Sequence, residues 1–481
     1  MASQAPSLAH PASSQEVVAR TRRLSLLLLT LFGIAYALFT QDIVSHNTLC
    51  RAAMTANLVQ NGHVDINGYE GLSDDKAFRE GNYYCDKAPG MSYLAMPVAF
   101  VFTKLAPITP STPYSRTWLM FLYLSALTTS GLLSALAAVV LFRYVLQHTQ
   151  DLNAALVASI AFALGTPVWG WATSFFSHSA TAALLLVGFI ALDTAGRRLA
   201  SGGRPLGVAL LGGLALGTAT AVEYTAFVPA VIIGATVALA SPWARPGELL
   251  QAFAAAALGA LIALVPVLLF HAAAFGSPLT TGYGFTVVYD AHRTGIFGIN
   301  VPRPEILWKL LVSADRGVLW YAPVVVAVAM ALVVMMRRVE LRATAVATTL
   351  ILAYYVCMNA GFEYWHGGAS TGPRYLTPAI GFSMLALGLA WPHFGIWQRR
   401  ATLVLLALSI FINFAATAVD MTAGALAESI LPSFFSGDLR HTLTYRLFKQ
   451  PSVLHFIIPI AGGCALAWMI TREYRKLKEL A

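Results

Sequence analysis

Close-set carboxylates and cations recur along this 481-residue chain, in segments that are otherwise apolar. The stretch YYCDKAPGMSYL, residues 83–94, puts Asp86 beside Lys87, then Pro89 and Gly90, then an apolar run. Upstream, Asp42, Asn47 and Arg51 follow one another within a single polar stretch, and Asp74, Asp75 and Lys76 come soon after. His178 stands in FFSHSATAALLL, and Glu223 precedes Tyr224. The late segment GFEYWHGGASTGPRY holds Glu363, Trp365, His366 and Arg374. These residue types suit one chemistry in combination. A carboxylate can take a proton from a hydroxyl. Lysine, arginine and the positive end of a helix hold phosphate. Aromatic faces suit a sugar ring, and glycines let backbone approach a ligand.

Other chemistries find less to work with. The chain has no His-x-x-x-His or Cys-x-x-Cys spacing, so no zinc-type ligand set is expected. A magnesium or manganese ion held by carboxylates and phosphate would need no such motif. No phosphate-binding glycine loop of nucleotide enzymes is present. Each group also has a plain structural reading. Asp42 could cap a turn, and Arg51 and Arg374 could snorkel at an interface. Asp86–Lys87 and Asp315–Arg316 could be simple ion pairs, and Asp74–Lys76 a solvated turn. His178 and Glu223 could be hydrogen-bonded packing residues.

What must position these residues is a membrane scaffold. The chain is 57% hydrophobic and only 11% charged, about half the charge of ordinary soluble domains. Apolar runs long enough for helices that cross a bilayer recur throughout. They predict an all-α polytopic integral membrane protein of about 12 transmembrane helices. The expected spans are 24–40, 117–143, 153–170, 176–195, 205–221, 222–240, 249–275, 318–336, 343–361, 375–392, 401–419 and 455–471. The stretch 91–105 is short and contains Pro97, so it is expected to lie at the interface. Residues 1–23 and 472–481 then form cytoplasmic tails around a membrane domain, 24–471, with a first periplasmic loop at 41–116.

Basic residues set the orientation. Arg20, Arg22 and Arg23 precede the first span, and Arg143, Arg197, Arg198, Arg204, Arg245, Arg337, Arg338, Arg342, Arg399 and Arg400 fall in connections on the same side. The formal charge of +9 is thus topological and does not call for nucleic acid. Four polar segments, 41–90, 171–180, 276–317 and 361–375, fall together on the opposite side. That arrangement implies a shared outer cavity. Within the first of them, 47–59 shows helical periodicity and Gly62 can end it, which predicts a helix on the membrane surface. Cys50 and Cys85 share this loop. They are either unrelated buried thiols or a disulfide that clamps Arg51 beside Asp86 and Lys87.

The order of these motifs resembles the polyprenyl-phosphate-sugar-dependent glycosyltransferases of the GT-C superfold. It looks like the bacterial branch related to protein O-mannosyltransferase and the lipid A aminoarabinose transferase. The shared features are one span followed by a long loop, an acidic and arginine-bearing loop start, YYCDKAPG, FFSHSATAALLL and WHGGASTGPRYLTPAIGF. The resemblance implies inverting transfer of a sugar from a polyprenyl phosphate to a lipid, glycan or protein hydroxyl at the periplasmic face of the inner membrane. It implies a carboxylate base, drawn from Asp42, Asp75, Asp86 and Glu363. It implies Arg51, Lys87 and Arg374 on the donor phosphate, and Asn47, His178, Trp365 and His366 on sugar or acceptor.

One position departs from the pattern. Asn47 stands where the family places its catalytic aspartate, and asparagine cannot be a general base. Asp42, five residues earlier, is the expected substitute. Two other readings compete: an inactive relative that binds lipid-linked sugar, and a transporter or flippase. A transporter would carry charges at mid-membrane and matching broken helices in two halves, whereas here the charges gather on one face.

Overall fold

The computed structural model describes residues 14–41, 44–110, 115–241, 245–439, 442 and 452–480. Asp42 lies outside them. The long helices are α1 (Ser14–Leu38), α2 (His46–Asn61), α3 (Gly90–Leu105), α4 (Arg116–Thr149, with a π-turn at Leu127–Gly131) and α5 (Leu152–Leu164). They continue as α6 (His178–Ala200), α7 (Leu206–Val222), α8 (Phe227–Ala240), α9 (Pro246–Phe275) and α10 (Pro304–Val312). The last are α11 (Val325–Met336), α12 (Val339–Gly361), α13 (Thr377–Ala390), α14 (Ile396–Val419) and α15 (Ser452–Leu480). One antiparallel hairpin, β1 (Lys76–Arg79) and β2 (Asn82–Cys85), pairs Lys76 with Cys85.

The twelve expected spans fall largely on helices, although 153–170 and 318–336 each run across a break in the helix. Among the described residues seven helices are long and apolar enough to cross a bilayer, so the chain is a multi-pass membrane protein. The count of twelve crossings goes beyond those seven: α5, α7, α8 and α11 are shorter, and α15, which carries 455–471, is not among the seven. α9 carries Leu250, Leu258, Leu261, Ile262 and Leu269 on its exposed side, the surface a helix presents to lipid. Its other side packs closely on α7. There Gly213 and Gly259 stand against the backbone of Ala256 and Leu210, where no side chain would fit.

α2 forms where the periodicity puts it. Ser45 caps its first turn with Thr48, and Gly62 ends it in the left-handed conformation, φ 72°. Ten consecutive residues, Thr48–Asn57, are buried, so α2 is enclosed by the fold, against α3 and β2. Its small apolar face, Ala52, Ala53 and Ala56, is what allows that close packing.

Long-range ties gather the loops at one end of the bundle. Val287 N donates to Lys76 O at 3.0 Å, joining the 276–303 segment to the hairpin. Asn300 N donates to Gly361 O at 2.8 Å and Glu363 N to Gly298 O at 3.0 Å, joining it to the end of α12. Thr371 N donates to Met421 O at 2.7 Å. Gln41, just past α1, braces three segments. Its amide N donates to Thr173 O at 2.9 Å, its Nε2 to Thr417 O at 2.6 Å, and its Oε1 accepts from Met421 N at 2.8 Å.

Candidate active site

The gathered loops enclose a cavity of about 610 Å³. Of the residues singled out in the sequence, Asn47, Arg51, Asp75, Lys87, His178, Glu223 and Arg374 line it. Segments separated by more than three hundred residues therefore meet, as the one-sided polar clusters implied.

Arg51 sits in the second turn of α2 and is 4% exposed. Its Nη2 donates to Ser177 Oγ at 3.4 Å, while Nε and Nη1 have no partner. Burial lowers its pKa, partly offset by the Glu223 charge. Arg374 opens the turn before α13. Its guanidinium lies over Phe176 and Tyr375, 5.2 and 4.9 Å from the ring centroids. Its Nη2 donates to the Tyr375 hydroxyl at 2.9 Å, and its Nε has no partner. No salt bridge to either guanidinium is found among the described residues. A buried cation without a counter-charge is costly. Arg51 is such a cation, and the half-buried Arg374 lines the same cavity, so the two make a seat for an anion.

Lys87 is differently placed. Its Nζ lies 3.2 Å from Asp75 Oδ1 and 3.1 Å from Asp86 Oδ1, and 5.4 Å from the Tyr283 ring centre. Burial works against the ammonium, but the Asp75 and Asp86 charges outweigh it and raise the lysine above its usual range. Burial pushes Asp86 up to about 6 against the pull of Lys87. Asp86 is 1% exposed and stands behind Lys87, off the cavity lining. The disulfide Cys50–Cys85 joins α2 to β2, with Cα atoms 5.3 Å apart. It links the residues immediately before Arg51 and Asp86.

His178 is the first residue of α6, and its Nδ1 lies 3.1 Å from Glu223 Oε2. Glu223 also accepts from Thr181 Oγ1 at 3.2 Å and Thr225 Oγ1 at 3.0 Å.

The late loop divides. Arg374 reaches the cavity, but Glu363, Trp365 and His366 are not among its lining residues. Glu363 is exposed. Trp365 lies under Lys309, 5.5 Å from ring centre to Nζ, and the His366 carbonyl accepts from Arg316 Nε at 2.9 Å. Glycines at positive φ, Gly367, Gly368 and Gly372, turn the chain between the two groups. The Asn47 side chain is at the cavity, with its Oδ1 buried and unpartnered.

Sequence reasoning missed an aromatic wall. Tyr224, Tyr283, Tyr289, His292 and Tyr364 line the cavity, with Tyr283 stacked on His292 at 4.8 Å. The signal was TTGYGFTVVYDAH, aromatics spaced among glycines and polar residues in an outer loop. Asp420 also lines the cavity. Among the described residues no three His, Cys, Asp or Glu side chains converge as a metal-ligand set.

The architecture is shared with solved membrane enzymes. It matches ArnT, the lipid A aminoarabinose transferase, from Cupriavidus metallidurans bound to undecaprenyl phosphate. That match has TM-score 0.53 and 14% identity, over 96% of this chain and 78% of that one. This chain has the GT-C fold. The oligosaccharyltransferase of Archaeoglobus fulgidus in its apo form also matches, with TM-score 0.51 and 12% identity over 89% of this chain. The chain spans 57% of that protein's length. No protein-family model matches, and no curated protein matches by sequence.

Proposed function

We propose that the protein is a membrane glycosyltransferase that moves a sugar from a polyprenyl-phosphate donor to an acceptor hydroxyl. The observation that carries the reading is the pair of guanidiniums, Arg51 and Arg374, facing one cavity without a carboxylate partner among the described residues, in a GT-C fold. They hold the donor phosphate. Lys87, already balanced by Asp75 and Asp86, anchors the loop at the edge of that charge. The aromatic wall packs against the sugar. The acceptor oxygen attacks the anomeric carbon as the bond from that carbon to the phosphate oxygen breaks. The electron pair stays on the phosphate, whose charge goes from −1 to −2, and the guanidiniums stabilise it more strongly as it forms. The acceptor's proton passes to a carboxylate. Asp42 is our first assignment for that base, and Asp75, which faces the cavity, is the competing one. By the arginine asymmetry of the sequence, the cavity opens to the periplasm of an inner membrane, with both termini in the cytoplasm.

The neighbour bound to undecaprenyl phosphate supports a lipid-phosphate ligand for this fold. A structure of the chain with decaprenyl phosphate tests the reading. The phosphate is expected within hydrogen-bond reach of Arg51 and Arg374, with Asp42 or Asp75 facing the same space. A phosphate seated elsewhere would refute the site. Transfer activity in Asp42→Asn and Asp75→Asn then separates the two bases. Activity retained in both would favour neither.

A further inference from the structure

α6 begins at the cavity, with Ser177 and His178 in its lining. No side chain caps its N-terminus. The natural capping hydroxyl, Ser177 Oγ, instead accepts from Arg51. An uncapped helix start leaves amide donors and a partial positive charge facing the space. Arg51, buried and with two unpartnered nitrogens, converges on the same end. His178 stands between these groups and Glu223. With Nδ1 bound to the carboxylate, the opposite ring nitrogen, Nε2, is left for a ligand. The charged and titratable groups around the ring are Glu223 from the α7 end, Arg51 from α2, and Arg374 with Tyr375 before α13. Trp171 and Phe176 fill the remaining faces.

We propose that the phosphodiester monoanion of the lipid donor seats on the N-terminus of α6, and that His178, held by Glu223, is a protonated third contact beside Arg51 and Arg374. This rests on the lipid-phosphate reading above. Without a ligand, the Glu223 carboxylate is bonded to one side of the ring. A bound phosphate adds a second negative charge on the other side of the ring. Glu223 positions the imidazole and does not touch the ligand. Binding and proton uptake are thus linked.

The test is binding of decaprenyl methyl phosphate, a diester whose single charge is constant between about pH 5 and 8, to the full chain in phosphatidylcholine nanodiscs. The wild type is expected to bind about tenfold more tightly at the acid end, the weight of one charge-assisted hydrogen bond. His178→Gln should bind at all pH values as the wild type does at the alkaline end. Glu223→Gln should lose most of the acid gain. A wild-type affinity independent of pH, or an unchanged pH dependence in His178→Gln, would overturn the proposal. If the probe does not bind, or if Arg51→Met leaves its affinity unchanged, the lipid-phosphate reading falls as well, and that result is distinct. Equal competition by phosphatidylglycerol would assign the seat to ordinary headgroups and overturn the donor assignment.

Discussion

Replacing Arg51 by methionine separates a functional cation from a structural one. The side chain is 4% exposed, makes one long hydrogen bond to Ser177, and leaves Nε and Nη1 without partners. A structural arginine in such a position would be paired, and its loss would unfold the site. Here the folded protein carries a desolvated charge with little return, so an apolar side chain of similar length relieves a penalty. The thermal midpoint of Arg51→Met is therefore expected to stay level or rise. Ligand binding should move the other way. A hydrogen bond to a charged group contributes about 1.5–3 kcal/mol. Losing one such bond weakens the affinity for decaprenyl phosphate roughly tenfold, and losing the stronger contact of both free nitrogens roughly a hundredfold. Arg51→Lys keeps the charge without the fork and should fall between. Nanodisc binding and a thermal scan on the same preparations read both quantities. A midpoint that drops by several degrees while affinity is unchanged would refute the reasoning.

Three further outcomes follow from the same geometry. Replacing both Cys50 and Cys85 by serine opens a loop with a sequence separation of 35 and should cost about 3–4 kcal/mol on a chain-entropy account, read as a lower midpoint that reductant no longer affects. Asp86 titrates at about 6 in the fold against 3.8 when unperturbed, so the stability it contributes is complete below about pH 4 and is lost as pH rises through 6. The midpoint of the wild type should fall across that window relative to Asp86→Asn, and parallel curves would remove Asp86 as the cause. Gly90→Ala would drive a Cβ into the Ala221 backbone. A loss of about 1–3 kcal/mol is expected from this overpacking, with weakened lipid-phosphate binding because Lys87 precedes the same turn.

Much of the scaffold was legible because bilayer-length apolar runs leave little choice of conformation. The expected spans lie largely on helices, seven of which are long and apolar enough to cross a bilayer, and α2 begins and ends at Ser45 and Gly62, where capping chemistry puts it. Arg51, Lys87, His178 and Arg374 were recoverable as polar residues on one side of an apolar chain. What periodicity could not supply was enclosure. α2 has the pattern of a surface helix, and only the packing of α3 and β2 against it makes Arg51 a buried cation. Nor could spacing separate Arg374 from Glu363, Trp365 and His366, because the three left-handed glycines between them reverse the chain. The Tyr283–His292 stack is assembled by ties to the hairpin and to α12 that are remote in sequence.

The Gln41 brace has a consequence for biosynthesis. Its side chain bonds to Thr417 and Met421, 376 and 380 residues downstream, and Asp420 beside them is part of the cavity wall. A ribosome delivers these residues only after most of the membrane helices have left the exit tunnel. A nascent chain halted near residue 392 could thus be threaded into the bilayer, with Arg51, Lys87, His178 and Arg374 already present, and still have an open wall. The cavity wall would then close only late in translation.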